Sequence, residues 1–213
     1  WRQAFETDKQ APFGGIIVVN NTLKQTPSQT VGPFFAHGLT PEQNDYPLKS
    51  IAAPILINDN TPGERIELCG QVFDGNGDII KDALIEIWQA DSSGHYIQRD
   101  TPPTCDVFTG FGRCSLENTN RFSFSTIKPG SIGSGQAPYI NMTVFMRGLL
   151  SHTYTRVYFS DEDKINNSDA VLSSVPQNRR HTIIAEKRID DNNIIYQFDI
   201  HMQGDNETIF FDV

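Results

Sequence analysis

The stretch from Arg65 to Tyr96, RIELCGQVFDGNGDIIKDALIEIWQADSSGHY, constrains this chain more than any other. Two apolar, β-rich runs flank Asp74-Gly75-Asn76-Gly77, whose Asp-Gly and Asn-Gly steps tolerate the positive φ of a tight turn. The stretch therefore reads as a hairpin. Its second run, Ala83 to Trp88, leads through Ser92-Ser93-Gly94 to Tyr96, which is expected at a sheet rim. Runs this apolar need a second layer to cover them.

Further short strands follow the same logic. Residues 121–127 (RFSFSTI) alternate strictly, which places Phe122, Phe124 and Thr126 on one face and Ser123, Ser125 and Ile127 on the other. Tyr139–Arg147, Tyr154–Phe159, His181–Lys187, Ile194–His201 and Thr208–Asp212 read as strands separated by turn residues. Ser160-Asp161-Glu162-Asp163 reads as a helix start, with Ser160 as N-cap, ending near Asn166; a second helical turn covers Asp169–Ser174. Thr26–Gly38, Thr40–Gly63 and Arg99–Asn120 are rich in Pro, Gly or Thr and read as irregular connections. Many short strands without long alternating helices predict an all-β fold, an antiparallel β-sandwich with long irregular loops and one or two short helices.

At 213 residues the chain has ample length for one core. Residues 1–22 are expected to form an N-terminal arm or extension, with one short strand at Ile16–Val19, and residues 23–213 the β-sandwich domain. The sequence opens on Trp1 rather than Met, so the numbering is read as starting inside a gene product. A formal charge of −9 argues against non-specific binding to nucleic acid or to an anionic membrane. A small anionic ligand would then need a local cation. Cys69, Cys105 and Cys114 cannot all pair internally; reduced thiols in the cytoplasm are the default, and a Cys105–Cys114 pair is left open. No apolar run is long enough for a signal core or a membrane span. Asn20, Asn141, Asn166 and Asn206 each begin an N-x-S/T triplet, a pattern that arises readily by chance.

No zinc spacing, nucleophile elbow or phosphate loop is present. The five histidines, His37, His95, His152, His181 and His201, are scattered. Two readings of Thr26–Gly38 stand side by side: an ordered connection, or a loop whose backbone, fixed at Pro and approachable at Gly, lines a site. Arg147, where an apolar strand ends, is either a solvated or ion-paired group or the cation for an anionic substrate. Arg156 falls inside an alternating run and invites a structural reading, and Arg179-Arg180 reads as a solvated charged turn.

Taken in order, TPSQTVGPFFAHG (26–38), residues 72–96, Phe111-Gly112-Arg113, Ile127-Lys128-Pro129-Gly130, QAPYINMTVFMRG (136–148), TRVYF (155–159) and residues 196–213 resemble the intradiol ring-cleaving dioxygenases. Within that family, TPSQT-x-GP, the FxRG step and QGxNET-x-FFD resemble the α-type chains of the protocatechuate-cleaving members. The resemblance runs over about 23–213. It implies a dioxygenase that uses O2 to open protocatechuate between its hydroxyls, with a non-haem Fe(III) that the family's catalytic chain holds by two Tyr and two His. The matching positions here are Tyr96, Ile132, Tyr139 and Asn141, so one ligand of four survives, and Gln136 stands at the family's catalytic arginine. The resemblance therefore implies no metal in this chain, no catalytic residue acting alone, and an Fe(III)-bearing β chain as partner in a hetero-oligomer. Carried over as substrate-pocket residues are Thr30, Gly32, Pro33 and Arg147; Phe34 stands where α-type chains often carry Tyr. Two rivals remain at this point. One is a self-sufficient metalloenzyme built on Tyr96, Tyr139 and a His such as His95 or His152; the other is a non-catalytic β-sandwich binding module.

Overall fold

The computed structural model describes residues 29–32, 34–97 and 108–212. The expected arm over residues 1–22, the Ile16–Val19 strand, Pro33 and Cys105 lie outside the described residues. Ten strands are present among the described residues: β1 Arg65–Gly70, β2 Val72–Phe73, β3 Leu84–Trp88, β4 Phe111–Ser115, β5 Phe122–Ile127, β6 Ile140–Phe145, β7 Thr153–Phe159, β8 Ile184–Asp190, β9 Asn193–Gln197 and β10 Ile200–His201. Eight of them follow one another in the order β4-β3-β6-β7-β8-β9-β1-β5, while β2 and β10 pair separately. The fold is thus mostly β with a few short helices, as the alternation predicts.

The expected purely antiparallel sandwich differs from what forms. β1 pairs in parallel with β9, β7 with β8 and β2 with β10; the remaining ladders are antiparallel. The continuous sheet curls until its two ends, β4 and β5, approach each other. Residues 53–57 bridge them: Leu56 N–H donates to Ser125 and Ser125 N–H to Pro54 on one side, while Thr109 and Arg113 N–H donate to Leu56 and Ala53 on the other. The sheet is therefore nearly barrel-like.

The hairpin is corrected in its extent. Asp74 N–H bonds Asp78 O, Ile80 N–H bonds Val72 O, and Phe73 bridges Ile79, so a tight turn does form. The long flanking runs do not pair across it. β1 has both edges taken by β5 and β9, and β3 has both taken by β4 and β6. A strand has two edges, so no β1–β3 ladder is available. Gly70 marks the divergence: a Cβ there would lie 1.8 Å from the Phe198 carbonyl oxygen, so only glycine lets β1 end against that strand crossing.

Two apolar clusters hold the sheet. Its inner face contributes Leu68, Ile85, Ile87, Phe122, Phe124, Ile140, Met142, Val144, Val157 and Phe159 to the main core. Outside the sheet, Tyr139 and Tyr158 pack under the helices α1 (Asp163–Asn166) and α2 (Ala170–Ser174) with Leu172, Val175 and Ile183. Asp169 caps α2 by accepting from Leu172 N–H, as expected at that position. Ser160 does not cap α1; its hydroxyl accepts from Lys187 N–H, and Glu162 precedes the helix without a side-chain cap. His181 lies in a 3₁₀ segment, Gln177–Ile183, rather than in a strand. The Arg179-Arg180 pair is half-buried rather than solvated, donating to the Glu207, Val175 and Ser173 carbonyls. Cys69 and Cys114 are free and buried. Among the described residues no helix is long and apolar enough to cross a membrane.

Candidate functional site

The positions at which the family's catalytic chain binds iron gather around one end of β6. Asp91 builds the approach: its carboxylate accepts from Ser93 and His95 N–H, at 2.8 and 2.9 Å, and its carbonyl accepts from Gly94 and Gly130 N–H. Gly94, at φ +84°, passes so close to Ser131 that a Cβ would sit 2.0 Å from its carbonyl oxygen. The turn delivers Tyr96 against Trp88, ring centroids 4.4 Å apart. Next to it on the sheet's outer face, Trp88, Asn141 and Arg156 stand side by side in register across β3, β6 and β7.

Hydrogen bonds tie these groups into a continuous network. The Asn141 amide donates to the Tyr96 oxygen at 2.9 Å, and its carbonyl accepts from the Tyr154 hydroxyl. The Arg156 guanidinium lies over the Tyr139 ring, 4.1 Å from its centroid. Tyr158 donates to Asp169 at 3.2 Å. Burial, reinforced by the nearby Tyr139 phenol, pushes the Tyr96 phenol well above its ordinary pKa; burial raises Tyr154 too, against the pull of Arg156. Both are neutral phenols at physiological pH.

This donor set does not suit ferric iron, which calls for anionic oxygen and imidazole donors. Ile132 supplies no donor and is part-exposed in the loop after the Lys128-Pro129-Gly130 turn. The Asn141 amide has its N–H aimed at the phenol oxygen that would have to ligate. Nor does geometry favour the histidine alternative. His95 is mostly solvent-facing beside Asp91, and His152 packs on Phe145 at the far end of β6. Among the described residues no cluster of three or more His, Cys, Asp or Glu is arranged for a metal.

The carried-over pocket residues assemble at that far end. Gly148 turns the chain at φ +93° just beyond β6, and its N–H donates to the Thr30 hydroxyl at 3.0 Å. Residues 29–32 are thereby docked beside Arg147. The Arg147 side chain is 58% exposed and its Nε bonds the carboxylate of Asp82, which is only 19% exposed. Gly32 is open, with no atom within 4 Å of where a Cβ would sit. Below the loop lies a cleft of about 230 Å³ lined by Gln29, Val31, Phe145, Met146, Leu149 and His152. Arg147 follows Asn141 by six positions, so the two places are roughly 20 Å apart along the line of β6. Thr30, Gly32 and Arg147 are brought together; Tyr96, Tyr139 and Asn141 are brought together; the two groups are not.

Sequence reasoning missed Asp82, Tyr154 and Arg156. The signal for the last two was available in Tyr154, Arg156 and Tyr158, which alternate along one face of β7. Asp82 had no signal, because its pairing with Arg147 joins residues distant in sequence.

Comparison with known proteins identifies the family. Residues 31–204 match the family model described as dioxygenase. The chain is 47% identical over 195 residues to the protocatechuate 3,4-dioxygenase alpha chain of Burkholderia cepacia, covering 90% of this chain and 99% of the relative. It is 28% identical over 214 residues to the beta chain of the same enzyme in that organism, covering 94% of this chain and 87% of the relative. Its fold resembles the dioxygenase domain of a carbohydrate-binding fusion protein from Streptomyces sp. SirexAA-E, with TM-score 0.57 and 22% identity over 74% of this chain and 93% of that one. With the family model spanning most of its length, the chain belongs to the intradiol ring-cleaving dioxygenases, alongside the protocatechuate 3,4-dioxygenase alpha chains.

Proposed function

We propose that this chain is the α subunit of an αβ intradiol dioxygenase that cleaves protocatechuate to 3-carboxy-cis,cis-muconate. Both atoms of O2 enter the product as the ring bond between the two hydroxyl-bearing carbons breaks, so no external reductant is consumed. The observation that carries the reading is the separation along β6: Thr30, Gly32 and Arg147 are assembled roughly 20 Å from this chain's own ligand positions. A pocket built there serves a centre that another chain supplies, and the family's centre is a non-haem Fe(III). The β chain, whose relative is similar to this chain over nearly its whole length, is the proposed holder of that iron.

What this chain contributes is binding and orientation. In an acidic protein, Arg147 offers a planar cationic fork to the benzoate carboxylate of the substrate. Asp82 holds the guanidinium by Nε, which leaves its outer N–H groups for the ligand. The loop at Thr30 and Gly32 presents backbone at close range, Pro33 is proposed to belong to the same pocket, and Thr30 fixes the loop to the strand end through Gly148. Exposed Phe34 continues this surface toward the partner. Residues 1–22 are proposed as an extension reaching from the 23–213 domain. A cytoplasmic setting suits the two free thiols, Cys69 and Cys114.

The test is co-expression with the β chain. An αβ complex burying roughly 2,000 Å² or more, containing iron and consuming O2 with protocatechuate, is the expected result, with the chain alone inactive. Stoichiometric iron with a tyrosinate charge-transfer band in the chain purified alone would overturn it.

A further inference from the structure

The outer face of β6 and β7 carries a positive charge at the place where the family's catalytic chain carries a metal. Arg156 stands in register with Asn141, a ligand position, and lies 4.1 Å from the ring centroid of Tyr139, another. Tyr154, Arg156 and Tyr158 alternate along the same face of β7. Tyr154 then donates to Asn141, and Asn141 to Tyr96, a third ligand position. A single guanidinium thus lies against Tyr139 and beside a chain of hydrogen bonds through two more of the four positions, Asn141 and Tyr96. Asn141 is only 7% exposed, and the Tyr139 ring packs beneath α2 with Tyr158 and Leu172, so the charge is set in a poorly solvated place.

We propose that Arg156 is an internal replacement for the metal, supplying the positive charge around which these phenols are organised and keeping a metal ion out. Two physical consequences of its position support the assignment. A fixed unit charge beside the ligand positions repels a trivalent ion strongly where solvent screening is weak. The Tyr96 oxygen and the Asn141 carbonyl, which a metal would need, are also engaged, since each accepts a hydrogen bond within the network. Loss of the ligands alone would leave a gap among buried polar groups; the guanidinium fills it with a cation that the rest of the face can bond. The inference concerns the isolated chain and does not depend on which partner it has.

Restoring the ligand set separates the charge from the ligands. A chain carrying Ile132→Tyr, Tyr139→His and Asn141→His is compared with the same chain carrying Arg156→Gln or Arg156→Lys in addition. Each is titrated with Fe(III) and read by bound iron per chain and by visible tyrosinate absorption, with circular dichroism and thermal melts checking the fold. The Arg156→Gln chain is expected to bind iron at least ~100-fold more tightly than the chain retaining Arg156, and Arg156→Lys, which keeps the charge, to remain iron-poor. Equal binding with and without Arg156, or loading of the Arg156→Lys chain like the Arg156→Gln chain, overturns the proposal. If the triple substitution does not fold, Arg156→Gln in the otherwise native chain decides the matter: it should lower the melting temperature more than Arg156→Lys does. Indifference to both would overturn the organising role.

Discussion

Replacing Arg147 by Ala in the αβ complex tests the pocket most directly. The side chain is 58% exposed and its one ion pair, with Asp82, is at the surface, so the fold should lose no more than about 0.5 kcal/mol. Catalysis should respond much more. A guanidinium–carboxylate bond to the substrate is worth about 1.5–3 kcal/mol, which corresponds to roughly a 10- to 150-fold fall in kcat/KM for protocatechuate. Most of that loss should appear in KM, because the carboxylate is remote from the bond that breaks. Catechol, which has no carboxylate, provides the internal control: its kcat/KM should hardly change, so the ratio between the two substrates collapses. Arg147→Lys should recover only part of the loss, since a point charge cannot reproduce the fork. Oxygen uptake at varied substrate concentration measures both ratios, and metal analysis confirms that iron content is unchanged. An equal loss for both substrates, or an unchanged protocatechuate KM, would refute the assignment of Arg147 to the carboxylate.

Thr30→Val removes the acceptor for Gly148 N–H at about 1 kcal/mol and should raise the protocatechuate KM roughly fivefold, while Thr30→Ser retains the native value; identical kinetics for Val and Ser would count against loop docking. Gly94→Ala should cost about 2–4 kcal/mol in denaturant unfolding, because the residue is at φ +84° and a Cβ would meet the Ser131 carbonyl oxygen at 2.0 Å; an unshifted midpoint would show that the turn yields. Asp161 supplies a pH prediction. Partial burial works against its charge, but hydrogen bonds from Lys187, Lys128 and Tyr196 bring its pKa down to about 2. Because the folded value lies below the unfolded one, this stabilisation is full above about pH 4 and disappears as pH falls toward about 2. After allowance for solvent screening it amounts to about 1 kcal/mol, which Asp161→Asn should remove at neutral pH while flattening the acid limb of the stability curve. An unaltered acid limb would disprove that role.

Strands were legible in the sequence where their two faces differ. Phe122, Phe124 and Thr126 are buried as their alternation predicts, and Ile127 is buried as well because β5 ends against the core. β4 was missed: Thr109-Gly110 and Gly112 carry loop chemistry, while the strand is held by cross-strand terms, among them the Arg113–Glu86 ion pair at 2.6 Å. The Asp-Gly and Asn-Gly turn formed as read, but turn residues fix only a few neighbours, and the ladder partners of β1 and β3 are set by segments far along the chain. At the candidate site, the family's ligand positions could be found by motif, and so could Arg147. The Asp82 pairing and the network through Arg156 could not, since both are products of register and of chain closure.

The strap at residues 53–57 has a consequence for how this chain can associate. By bonding to β5 on one side and to the segment leading through β4 on the other, it occupies the backbone groups that the ends of the sheet would otherwise offer. A sheet with open ends invites extension by a strand from a neighbour, whether a partner or an aggregating copy. Here that route is blocked at both ends. A partner must instead be recognised through side chains on loops and sheet faces, which can be varied one residue at a time without disturbing the barrel. For the pairing with a β chain proposed above, that arrangement leaves the choice of partner to surface chemistry.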